Sequence, residues 1–103
     1  MPQPPSAASV RMTQVRAACV ASPDSVATTE LLNHAAAVFR LWRGRLAELL
    51  EQGGLAKRDA RRFATVLIAS AEGAVVMSRA EQDIEPFETV ARQLVDQARA
   101  LAG

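Results

Sequence analysis

The segment "VLIASAEGAVVMSRAEQD", Val66 to Asp83, is apolar on two faces of a helix. One stripe runs from Phe63 through Leu67, Ile68, Ala71, Val75 and Ser78, while Val66, Ala69, Gly73, Val76 and Met77 cover a second face. A helix with one neighbour needs one apolar stripe, so this helix needs neighbours on two sides. Glu72 and Gly73 stand together at its centre. A carboxylate in apolar surroundings is costly unless paired, and a glycine inside a helix weakens it by about 1 kcal/mol. Gly73 is suited to the close approach of another backbone, and the small Ala69 and Ala74 keep the surface around it shallow.

The flanking sequence is helical too. Leu31, Leu32, Ala35, Val38, Phe39, Trp42, Leu46, Leu49 and Leu50 recur every three or four residues, with Asn33, Arg40, Gly44, Glu48 and Glu51 on the wet face. "EQGGL" ends this helix, with Gly53 or Gly54 in the left-handed position and Leu55 packing back. Asp59 reads as the N-cap of the next helix, and Pro86 sits in the first turn of the last one. That last helix carries Phe87, Val90, Ala91, Leu94, Ala98 and Leu101 along one narrow seam. The expected fold is all-α, with three main amphipathic helices at about 29–52, 59–82 and 86–102 joined by short loops, hence neighbouring and roughly antiparallel. "MPQPPSAAS" has the composition of a disordered tail, residues 1–9, and residues 10–103 form a single helical domain. Val10 to Ala21 is a short or irregular segment with weak helical spacing. Ser22 and Pro23 after it are either a boundary or an N-cap with proline at the first helical position.

A chain of 103 residues with 50% hydrophobic residues and only four aromatics builds a thin aliphatic core. Small domains of few helices are marginal alone, so self-association is expected. The net charge of +1 provides no global field to recruit DNA or an anionic membrane. Cys19 is the sole cysteine, which excludes an internal disulfide, and it lies in no metal-ligand spacing. Arg11, Gln14 and Arg16 interrupt every candidate signal-peptide apolar region. No uninterrupted apolar run reaches the ~20 residues of a membrane span. A soluble cytoplasmic protein is expected, without cofactor or metal. No nucleophile elbow, HExxH or CxxC is present, so no enzyme activity is expected.

Taken in order, Cys19, the Phe39-x-x-Trp42 pair, Gly53 or Gly54 before an aspartate-initiated helix, Glu72-Gly73, Arg79, Asp83 and Pro86-Phe87 resemble one family. Over residues 19–103 the chain is similar to the C-terminal domain of TetR-family transcriptional regulators, in the LmrA/YxaF-like subgroup. It departs from the family pattern at Ala18 and Val20, where the family usually has glycine before the cysteine and proline after it. The resemblance implies that the last two helices pair with their copies in a homodimer, as a four-helix interface. The earlier helices would then wall a pocket for a small apolar effector. The family's N-terminal helix-turn-helix is expected to be missing from this chain, which would then bind no DNA directly by itself.

On that basis the ligand-pocket candidates are Phe39, Trp42, Phe63 and Leu67, residues that at this spacing also serve as helical core. The dimer-interface candidates are Glu72, Gly73, Ala74, Met77, Arg79, Phe87, Val90 and Leu94. Glu72 and Arg79, seven apart on one helix face, allow an ion-pair network completed across the dimer or within the subunit. His34 reads as an exposed or capping residue and Cys19 as a small structural side chain. "AKRDARRF" gathers Lys57, Arg58, Arg61 and Arg62 at a helix start, where positive charge opposes the macrodipole. It reads as a solvated face. Two functions fit: a ligand-responsive regulatory domain, or a stand-alone dimerisation module, or gene remnant, that forms mixed dimers with a full-length relative.

Overall fold

Helices in this chain begin wherever a serine oxygen or a tight turn supplies a start. The computed structural model describes residues 2–20 and 25–103. Among the described residues the elements are four helices: α1 (Ala7–Cys19), α2 (Val26–Gln52), α3 (Lys57–Glu81) and α4 (Glu85–Ala102). The chain divides into two compact units, Met1–His34 and Ala35–Gly103, with α2 running through the boundary.

In the first unit, Ser6 Oγ accepts from the Ser9 amide at 3.1 Å and caps α1. The helix therefore starts at Ala7, inside the stretch read as a disordered tail, two residues after Pro5. None of its residues is buried, and Val10, Met12 and Val15 are exposed. The Ser22–Pro23 boundary lies outside the described residues. Ser25 Oγ accepts from the Thr28 amide at 3.1 Å, so α2 opens at Val26, three residues before the expected start at Thr29.

In the second unit the end of α2 settles the choice between two glycines. Gly54, at φ 112°, takes the left-handed position. Its amide donates to the Glu51 carbonyl and that of Leu55 to the Leu50 carbonyl, each at 3.0 Å, which closes the turn and buries Leu55. Asp59 is not the N-cap of α3. The Ala60 amide already bonds the Ala56 carbonyl at 2.8 Å, so the helix starts at Lys57 with Ala56 as its cap and no side-chain acceptor. Asp59 falls instead in the first turn, where its charge suits the helix dipole. At the other end Gln82, at φ 54°, terminates α3. Ser78 Oγ then accepts from the Phe87 amide at 3.1 Å and Asp83 Oδ1 from the Glu85 amide at 3.0 Å, so residues of α3 and the turn cap α4.

The buried cluster is Ala47, Leu55, Ala60, Phe63 and Ala64, with Leu46, Leu50, Leu67, Leu94, Ala98 and Leu101 packed against it. It sits where the end of α2, the 53–56 turn, the start of α3 and the end of α4 converge. Because Ser78 near the end of α3 meets Phe87 near the start of α4, α3 and α4 run antiparallel. The core is thin and aliphatic around one aromatic, Phe63. Toward its N-terminus α2 leaves this core, and Leu41, Trp42 and Leu49 remain exposed on the second unit.

Candidate functional site

A groove of about 370 Å³ runs between α2 and α3 within residues 35–103. Phe39 walls it on α2; Thr65, Ile68, Ala69 and Glu72 line it on α3, and Arg40 and Arg43 border it. Trp42 stands one turn beyond Phe39 and meets its ring edge-on, centroids 5.9 Å apart at 83°. Phe63 and Leu67 stand apart from this groove. Phe63 is 2% exposed at the heart of the core and Leu67 packs against it, so neither lines the groove. Their stripe on α3 faces the α2–α4 junction, which a helical period alone does not distinguish from a cavity. Sequence reasoning missed Ile68, Ala69 and the two arginines as groove residues. The spacing of Phe39 and Arg43, four apart on α2 and hence neighbours on its surface, is the signal that points to Arg43.

The interface candidates separate into three groups. Gly73 and Met77 stand exposed, and with Val66, Ala69, Val76 and Ala80 they form an uncovered stripe opposite the buried Ala60, Phe63, Ala64 and Ala74. No atom outside its own helix backbone and neighbours comes within 4 Å of where a Gly73 Cβ would stand. Ala74, by contrast, is buried within the chain, and Val90 and Leu94 are half-buried on the inner side of α4. Ala74 is thus covered within the chain, and Val90 and Leu94 in part. Glu72 lies on the α2–α3 groove, whereas Arg79 and Phe87 line another depression, of about 480 Å³, with Val75, Ile84 and Asp83 at the α3–α4 turn. Glu72 and Arg79 form no ion pair: among the described residues Glu88–Arg92, at 3.5 Å, is the ion pair present. Within the single chain Glu72 is exposed, so solvent offsets the burial cost there.

Positive charge collects beside the groove. Arg40, Arg43 and Arg61 surround a cleft of about 290 Å³ floored by Gly44 and Ala47. Arg43 Nη1 donates to Thr65 Oγ1 at 3.4 Å across α2 and α3, and that hydroxyl donates to the Arg61 carbonyl at 3.4 Å. Lys57, Arg58 and Arg62 continue the patch along the start of α3. His34 and Cys19 are exposed, and no cluster of metal-ligating side chains occurs among the described residues. By length and composition α3 is apolar enough to cross a membrane. Its two apolar faces account for that composition, one of them carrying Phe63 into the core.

The family model of the LmrA/YxaF-like transcriptional regulator C-terminal domain matches residues 7–93. The chain belongs to this family. Neither curated proteins nor solved structures gave a match. Membership makes this TetR-type domain part of transcription regulation, the effector-binding and dimerisation portion of a regulator. The match opens on the first residue of α1 and closes inside α4, so α1 belongs to the family's pattern although the resemblance read from the sequence began at Cys19.

Proposed function

We propose that this LmrA/YxaF-like domain homodimerises through the exposed face of α3 and takes a small apolar effector in the groove between α2 and α3. The observation that carries the reading is the stripe of Val66, Ala69, Gly73, Val76, Met77 and Ala80, with Val76 66% exposed on a helix whose opposite face is core. Uncovered apolar area of this kind is an association surface, and Gly73 at its centre admits a second helix at close range. Arg79, on α3, and Phe87, near the start of α4, line the separate depression at the α3–α4 turn.

The effector groove touches α3 on one side and α2 on the other. A ligand there favours whichever α2–α3 spacing it fits, and α3 passes that preference to the dimer face. DNA contact is not assigned to residues 1–103, and the regulatory output depends on what the dimer positions. Sedimentation across a dilution series tests the reading. A dimer that persists to low concentration supports it, and a folded monomer at every concentration overturns it.

A further inference from the structure

The apolar groove and the arginine cleft share Arg40 and Arg43, so they form one depression along α2 and α3. We infer that it selects an amphipathic anion: an apolar body beside Phe39, Ile68 and Ala69, with a phosphate or carboxylate among Arg40, Arg43 and Arg61. This rests on the groove being the effector site and names the class of effector.

Three observations carry it. Among the described residues no carboxylate lines the cleft, and none of its three guanidinium groups is in an ion pair. Like charges held together in this way repel, and an anion shared among them turns repulsion into charge-assisted hydrogen bonds. The floor is Gly44, open above its backbone, and Ala47, so a headgroup meets no bulky side chain there. Arginine forks match phosphate and carboxylate oxygens in pairs, and the Thr65 hydroxyl tethers Arg43 between the two helices before any ligand arrives. Glu72 marks the far end of the depression. It follows Arg61 by eleven residues, about 16 Å along the helix. A second anionic group there would face a carboxylate, so the ligand carries its charge at one end only.

The experiment is calorimetric titration of the full chain with octyl phosphate, octanoate, 1-octanol and inorganic phosphate, each below any micelle concentration. Octyl phosphate or octanoate should bind about tenfold or more tighter than 1-octanol, the gain that hydrogen bonds to charged groups supply. The pair Arg43→Gln and Arg61→Gln should remove that gain, so that on this variant the anions bind no tighter than 1-octanol. Arg43→Lys should keep part of it, and Arg92→Gln, on α4, should alter nothing. Helicity by circular dichroism confirms that each variant is folded. Equal binding of octanol and the anions would overturn this inference while leaving an apolar effector groove in place. Inorganic phosphate binding as tightly as octyl phosphate would also overturn it, because the apolar body would then contribute nothing. Binding of none of the four probes would overturn both this inference and the effector reading.

Discussion

Gly73 is the residue where the monomer and the proposed dimer make opposite demands. Nothing in the chain occupies the space a side chain would take, so within one subunit Gly73→Ala should raise stability by up to about 1 kcal/mol through helix propensity. Chemical denaturation at a concentration where the protein is monomeric measures it. Gly54 behaves in the reverse sense. Its φ of 112° is open to glycine and strained for other residues, so Gly54→Ala should lose about 1–3 kcal/mol in the same assay. Phe63→Ala removes the one aromatic of a thin core and should lose about 3–5 kcal/mol, enough to threaten folding of so small a domain. At this scale the sequence was legible where backbone chemistry is local. The glycine pair after Gln52 signalled a left-handed turn, although only the structure separates Gly54 from Gly53. It was illegible where a side chain's meaning depends on a neighbour: Phe63 reads equally as core or pocket wall until α4 is in place.

Among the elements, α3 links the parts of the molecule. Its Ala60–Phe63–Ala64–Ala74 face builds the core, its Thr65–Ile68–Ala69–Glu72 flank lines the groove, and its Gly73 stripe is uncovered. Gly73→Leu tests the last of these separately from folding. Leucine is a better helix former than glycine and has room in the subunit, so circular dichroism should show undiminished helicity while sedimentation shows monomer. A variant that stays dimeric would place the dimer contact on another face. The two apolar faces of α3 were plain from spacing alone, and so was the amphipathic character of α2 and α4. Helix starts were less so. Asp59 has the composition of a cap, but the turn after Gly54 brings the backbone into helical geometry two residues earlier. Ser25 is the cap that opens α2, where the apolar period alone had suggested a start at Thr29.

For the whole molecule, every buried residue among those described lies between Ala47 and Pro86. Removing residues 1–20 should therefore shift the unfolding free energy of the Ala35–Gly103 unit by no more than about 0.5 kcal/mol, as for surface changes generally. Urea denaturation of the shortened and full chains compares them directly. A larger loss would mean that α1 supports the core.

The sequence by itself determined the all-α class, the positions of α2, α3 and α4 to within a few residues, the short connections between them, and the family. Each of these depends on a period of 3.6 residues, on turn chemistry or on the order of a few side chains, all of which act locally along the chain. Only the tertiary structure decided what each apolar face meets. A hydrophobic stripe fixes an angle about its own helix axis and says nothing of where the neighbouring axes lie. The directions of α2 and α4 around α3 sent Phe63 and Ala74 inward, Glu72 to one groove and Arg79 to another, and brought Arg40, Arg43 and Arg61, up to 21 positions apart in sequence, around a single cleft.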